Sequence, residues 1–101
     1  MYIVNSLYKS SKNDNKESIY SYRMISESFL EGQAFGIEVE RQDLIEGNVV
    51  RIERNLIRRI SNKEDKVKNL LNLVHNYQVS PIHLVDILGE YVDNYVSDFN
   101  L

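Results

Sequence analysis

Several stretches between residues 19 and 54 alternate between apolar and polar positions. Phe35, Ile37 and Val39, for example, are interleaved with Gly36 and Glu38. Strict alternation is typical of a β-strand that buries one face and exposes the other. The pattern predicts three strands, over residues 19–30, 34–42 and 49–54.

Glycine-containing turns separate the three predicted strands. Glu31-Gly32-Gln33 follows the first strand, and Glu46-Gly47-Asn48 follows the second. Short turns of this composition join neighbouring antiparallel strands, so the arrangement is an antiparallel three-stranded meander. In the third strand, Val50 and Ile52 are predicted to face the core, and the intervening polar residues to face solvent.

After residue 60 the apolar spacing becomes helical. Ser61 and Glu64 have the spacing of a capping box, which starts a first helix over about residues 63–76. Ser80 is the predicted N-cap of a second helix that runs to about residue 96, with Pro81 at its first position. The predicted apolar stripes are Val67, Leu70, Leu71, Val74 and Tyr77 in the first helix and Leu84, Val85, Leu88, Tyr91, Val92 and Tyr95 in the second.

The element order predicts an α+β fold in which two helices cover one face of the meander, in a winged-helix-like layout. Residues 19–101 are predicted to form this single domain. Residues 9–18 contain no apolar side chain and are interpreted as a polar loop or linker. Residues 1–8 are then a short strand or an arm, so residues 1–18 form an N-terminal segment outside the domain.

The composition excludes several classes of functional site. The chain has no cysteine, which excludes disulfides and thiolate chemistry. We expect no signal peptide and no membrane span, because no apolar run is long enough, and therefore a cytoplasmic location.

Catalysis and metal binding are not expected. His75 and His83 are too few to hold zinc without cysteine. Ser80, His83 and Asp86 lie along one helix start, whereas a catalytic triad needs groups held by separate elements. We predict a protein that is not an enzyme and that has no metal and no cofactor.

Basic charge is concentrated in a short part of the chain. Residues 51–68 hold 7 of the 12 Lys and Arg residues, whereas residues 69–101 hold none and 4 Asp or Glu. Arginine binds phosphate well through its planar, permanently charged fork. The hypothesis is a DNA-binding protein that contacts phosphates of double-stranded DNA through Arg41, Arg51, Arg54, Arg58, Arg59 and Lys63. The alternative interpretation is a solvated face balanced by Glu38, Glu40 and Glu53.

The second helix does not suit DNA, because it carries Asp86, Glu90 and Asp93 and no base. A second hypothesis is therefore a non-catalytic protein-interaction module, such as a small inhibitor or adaptor, that uses this acidic, aromatic helix. Tyr91, Tyr95 and Phe99 are the predicted interface residues, either for a partner or for a homodimer.

Two segments carry a resemblance to known proteins. Phe35-Gly36-Ile37-Glu38 and Val79-Ser80-Pro81-Ile82-His83-Leu84-Val85-Asp86-Ile87 resemble a family of short, uncharacterised clostridial proteins, which implies no function. The size and layout are also similar to the TcpK family, relaxosome accessory proteins of clostridial conjugative plasmids. That resemblance implies a winged helix-turn-helix, a dimer, and binding to an origin of transfer by regions other than the recognition helix.

Overall fold

Four consecutive strands form one antiparallel sheet in the order β1-β2-β3-β4, and two helices follow it. The computed structural model describes residues 1–99 of the 101-residue chain. The elements are β1 (Tyr2–Asn13), β2 (Lys16–Phe29), β3 (Gly32–Ile45), β4 (Asn48–Ser61), α1 (Glu64–Asn76), a 3-10 turn (Pro81–His83), α2 (Leu84–Tyr95) and a second 3-10 turn (Val96–Phe99).

The α+β class is confirmed, but the three-stranded meander and its winged-helix likeness are wrong, because a fourth strand, β1, pairs with β2 along its length. Residues 9–18, interpreted from the sequence as a linker, form the end of β1, a two-residue turn and the start of β2. Their polar composition has a physical reason: nothing from residue 10 to residue 18 is buried. These residues are held by backbone pairing, which leaves no apolar signal.

Two-residue turns join all four strands. They consist of Asp14–Asn15, Leu30–Glu31 and Glu46–Gly47. Leu30 and Glu31 have φ angles of 51° and 62°, and Glu46 and Gly47 have φ angles of 52° and 81°. Positive φ at both central residues is the geometry of the tightest hairpin turns. The turn predicted at residues 31–33 therefore lies slightly earlier in the chain, and Gly32 opens β3.

Both helices pack on one face of the sheet, at one end of it. Tyr22, Ile37 and Val39 from the sheet are fully buried there. The buried helix residues are Val67, Leu70, Leu71, Val74, Leu84 and Leu88. The predicted helical stripes are thus largely confirmed, with two exceptions: Tyr77 is 78% exposed and Val85 is 55% exposed.

The helix starts differ from the prediction. Ser61 is the last residue of β4 and fully buried, and the N-cap of α1 is Lys63, without a side-chain capping bond. Ser80 likewise makes no capping bond, and Pro81 opens the 3-10 turn that precedes α2. The Ser61 hydroxyl instead donates to Asp98 Oδ2 at 2.7 Å, which ties the end of the sheet to the segment after α2.

The sheet continues well beyond the helices. We call residues 10–18 and 42–54 the distal arm, because none of them is buried, and the molecule measures 50 × 24 × 18 Å. Val50 and Ile52 lie in this arm, and they are 57% and 51% exposed. Their predicted core position is wrong because Ile52 pairs with Gln42 on the face of the sheet away from the helices, and Val50 is the extra residue of a bulge in β4. Arg51 faces the helix side of the sheet instead, opposite Asp43 of β3.

Candidate functional site

The residues predicted to bind phosphate do not form a single basic surface. Arg41 pairs across the sheet with Glu53, whereas Arg54 pairs with Glu40, one position along β3. Side chains on adjacent positions of a strand point to opposite faces of the sheet, so Arg41 and Arg54 lie on opposite faces. Arg58 and Arg59 lie at the other end of β4, towards the helices.

In the distal arm and beside it, arginines are neutralised by neighbouring carboxylates. Arg41 Nε lies 2.8 Å from Asp43 Oδ1, and Arg51 Nη2 lies 3.0 Å from Glu53 Oε1. The hydrogen bond from Arg41 holds the pKa of the Asp43 carboxyl below its usual value. A carboxylate that keeps its charge beside each guanidinium lowers the local positive potential that phosphate would need.

Glu40 is the centre of an ion-pair network on the face away from the helices. Its carboxylate, 6% exposed, accepts hydrogen bonds from Arg54 Nε and from Arg23 Nη2, the latter at 3.3 Å. Arg23 Nη1 also donates to Glu38 Oε1 at 2.7 Å. Burial alone would raise the pKa of Glu40, but the two arginine hydrogen bonds outweigh burial and lower it.

Arg58 and Arg59 share one carboxylate. Arg58 Nη2 and Arg59 Nε each lie 3.1 Å from an oxygen of Glu27. The Arg59 guanidinium also stacks over the Phe29 ring, with its central carbon 4.3 Å from the ring centroid. Five of the six predicted phosphate ligands are therefore engaged with carboxylates, and the sixth, Lys63, is the exposed N-cap of α1.

The three predicted interface aromatics make contacts within the molecule. Tyr91 and Tyr95 are half-buried against the core with their ring centroids 6.2 Å apart, and Lys66 Nζ lies 4.6 Å from the Tyr95 centroid. Phe99 packs edge-on against Phe29 at 5.3 Å between centroids. Much of their apolar surface is thus already used in the fold.

Other residues of the helical region expose more apolar surface. Ile82 is 66% exposed, Val85 55% and Ile87 43%. Asp86, Glu90 and Asp93 are exposed between them, and their i, i+4, i+7 spacing makes an acidic ridge along α2. We call this region the α2 surface, comprising Tyr77, Ile82, Val85, Ile87 and the acidic ridge Asp86, Glu90 and Asp93.

Two apolar depressions flank the acidic ridge. The larger, of about 460 Å³, lies between the end of α1 and α2 and is lined by Tyr77, Ile87 and Tyr91 among others. The second, of about 370 Å³, lies beside Ile57, Val85 and Gly89. Sequence reasoning missed Tyr77, Ile82 and Ile87. Ile82 and Ile87 fall outside the predicted buried stripe of the second helix, and that could have identified them as exposed apolar residues.

The two histidines lie in different surroundings. His75 Nε2 lies 2.9 Å from the carbonyl oxygen of Tyr8, and His83 lines the larger depression. Across residues 1–99, no three His, Cys, Asp or Glu side chains are grouped as metal ligands. In the same part of the chain, neither helix has the length and apolarity needed to cross a lipid bilayer.

Comparison with known proteins gives one match. Residues 1–94 match the model of a family of unknown function, DUF6514. No curated protein matches the chain. No solved structure matches it either. The resemblance to an uncharacterised family is thereby confirmed in general terms, and nothing in the comparisons supports a relation to the TcpK family or to clostridial proteins in particular.

Proposed function

The chain belongs to the DUF6514 family, whose function is unknown, and we propose that it is a non-catalytic binding module for a protein partner. The α2 surface is the binding site in this proposal. The occupant is a segment of another protein that presents apolar side chains beside lysines or arginines, such as a basic amphipathic helix.

The observation that carries the proposal is the contrast between the two charged regions of the molecule. The arginines are balanced by carboxylates on their own sheet, whereas residues 69–101 contain no Lys or Arg. The acidic ridge therefore has no positive partner within its own segment. Charge complementarity sets which partner a surface accepts and in which orientation, so a basic partner is expected here.

Apolar exposure supports the same surface. Tyr77, Ile82 and Val85 each leave more than half of their surface in solvent, and they lie close to the two depressions. Apolar side chains that enter such depressions supply most of the affinity in helix-in-groove recognition. The α2 surface therefore offers both kinds of contact, since the acidic ridge runs between the two apolar depressions.

The first test uses three labelled probes and fluorescence anisotropy. The probes are an amphipathic peptide of leucine and lysine, a peptide with the same lysines and serine in place of leucine, and an AT-rich DNA duplex. We expect the leucine–lysine peptide to bind at least about tenfold more tightly than the serine–lysine peptide, because only the leucines bury apolar surface in the depressions. A tenfold difference in dissociation constant corresponds to about 1.4 kcal/mol of binding free energy. We also expect that the duplex does not bind.

Matched variants locate the site. The double substitution Asp86→Lys and Glu90→Lys should abolish peptide binding, because both changes place bases on the exposed ridge. Glu64→Lys and Asp65→Lys, on the exposed first turn of α1, are the control with the same change in net charge. If both double variants lost peptide binding equally, net charge alone would attract the peptide, and the α2 surface would not be the binding site.

The DNA hypothesis is an outcome of the same experiment. If the duplex binds with a steep dependence on salt, and Arg58→Ala with Arg59→Ala weakens that binding, the protein is a phosphate-binding module and the proposal made here is wrong. Those two arginines are 56% and 47% exposed, so their removal tests phosphate contact without opening the core.

A further inference from the structure

The sheet has two edge strands, β1 and β4, and β4 has an unpaired edge in the distal arm. Over residues 1–99 it pairs only with β3, so one row of its backbone N–H and C=O groups has no strand partner. Exposed edges of this kind template pairing with another chain, and proteins protect them with proline, charge or covering segments. The edge at residues 49–52 instead carries Val49, Val50 and Ile52, each about half exposed.

The sequence of this edge is complementary to itself. In an antiparallel pair centred on Ile52, Arg51 of one copy lies opposite Glu53 of the other, and the reverse pair forms across the axis. Ile52 then meets its own counterpart at the centre of the pair. Opposite charges placed directly across two strands stabilise their pairing, whereas like charges destabilise it.

Neighbouring registers lack this complementarity. Centring the pair on Arg51 sets two arginines against each other, and centring it on Glu53 sets two glutamates against each other. The pattern therefore selects one register, which is what a twofold interface between identical surfaces requires.

We propose that the β4 edge is a homodimer interface, in which two copies join at Val50–Arg54 and extend their sheets into one of eight antiparallel strands. The occupant is a second copy of this chain. The contact between Arg51 and Glu53 within one copy, at 3.0 Å, leaves Arg51 64% exposed, so its guanidinium can also reach Glu53 of a second copy. The surface is separate from the α2 surface and does not depend on the function proposed for it.

The proposed dimer has a limited contact area, and its strength is expected to depend on concentration. Val50 is the extra residue of the bulge between the Asp43–Arg51 and Leu44–Val49 pairs, so the straight part of the edge ends there. A contact of this length is smaller than the interfaces of permanent dimers, so we expect reversible association. Sedimentation equilibrium over a range of concentrations is the suitable measurement.

Charge reversal provides the decisive test. Arg51→Glu places glutamates opposite glutamates, and Glu53→Arg places arginines opposite arginines. Each should therefore raise the dimer dissociation constant at least about tenfold. The double variant Arg51→Glu/Glu53→Arg restores complementary pairs and should dimerise again. An equimolar mixture of the two single variants should form a heterodimer, because each then supplies the charge that the other lacks.

Lys12→Glu is the control, because it reverses a charge on β1, at the opposite edge of the sheet. It should leave the dissociation constant unchanged, and circular dichroism of every variant confirms that the fold is intact. A native protein that stays monomeric at the highest concentration would overturn the proposal. So would a dimer that is insensitive to the single reversals, or single variants whose mixture does not associate.

Discussion

Glu40 is the centre of the ion-pair network on the sheet face away from the helices. It is one of few buried charged groups in the molecule, and it touches both Arg23 and Arg54. A buried carboxylate contributes to stability only while its hydrogen-bond partners remain in place. We expect Glu40→Gln to lower the free energy of unfolding by about 1–3 kcal/mol at pH 7, measured by urea denaturation.

The same substitution should change how stability depends on pH. Folding lowers the pKa of Glu40, so the carboxylate stabilises the fold above its unfolded pKa of about 4.3. This contribution is lost as the pH falls through the lower pKa of the folded state. The difference between the native protein and Glu40→Gln should therefore shrink from pH 7 towards about pH 3.

Glu38→Gln serves as the control for this residue. The Glu38 side chain is 28% exposed, and over residues 1–99 its one ion pair is with Arg23, so its removal should cost less than about 1 kcal/mol. A stability difference for Glu40→Gln that stays constant across the acid range would mean that shape, and not charge, explains the effect.

Among the elements, β3 and β4 approach each other closely at Gly36. A Cβ atom on Gly36 would lie 2.1 Å from the carbonyl oxygen of Ile57 and 2.4 Å from that of Arg58. Both neighbours are backbone atoms, so no side chain can move aside. The register shift between the Phe35 and Ile37 pairs places extra residues of β4 over this glycine, which explains the need for the missing side chain.

Gly36→Ala should therefore destabilise the protein by about 3 kcal/mol or more, or prevent it from folding. Gly89→Ala is the matched control, since a Cβ atom there meets nothing within 4 Å. Alanine is the better helix former, so Gly89→Ala should raise stability by up to about 1 kcal/mol. Thermal unfolding of both variants gives the comparison, and equal effects would contradict the close approach at Gly36.

Elements with a buried face could be predicted from the sequence, whereas the others could not. The alternation of buried residues such as Tyr22, Ile37 and Val39 predicted β2 and β3. The helical spacing that includes Leu70 and Leu71 predicted α1. The polar stretch that ends β1 lacked this signal, because its backbone pairing does not depend on side-chain type. Val50 and Ile52 carried a misleading signal, since alternation alone does not show which face of the sheet the helices cover.

The candidate site was only partly predictable for a related reason. The acidic character of α2 is readable from Asp86, Glu90 and Asp93. Whether an arginine is free or neutralised depends on which carboxylates face it across strands, as with the two arginines that meet Glu27, more than thirty residues away along the chain. Such pairings follow from strand register, and a single sequence does not reveal register where one strand is missed.

At the scale of the whole molecule, the protein has a helix-covered body and an uncovered arm. The body holds every buried hydrophobic residue, whereas the distal arm has none among residues 10–18 and 42–54. Backbone hydrogen bonds without apolar burial give little protection against local opening. We therefore expect amide hydrogens in the distal arm of dilute protein to exchange at least about tenfold faster than those of Tyr20–Met24, in native-state hydrogen exchange.

The same measurement at higher concentration links this property to the β4 edge. If two copies pair at Val50–Arg54, amides on the free edge of β4 gain partners, and their exchange should slow as the protein concentration rises. Amides of Ser10–Asn13 in β1, at the opposite edge, should keep the rates seen in dilute protein, since no second copy pairs with that edge in the proposed dimer. Uniform protection of arm and body in dilute protein would show that the sheet opens only with global unfolding, and the division of the molecule into body and arm would then be wrong.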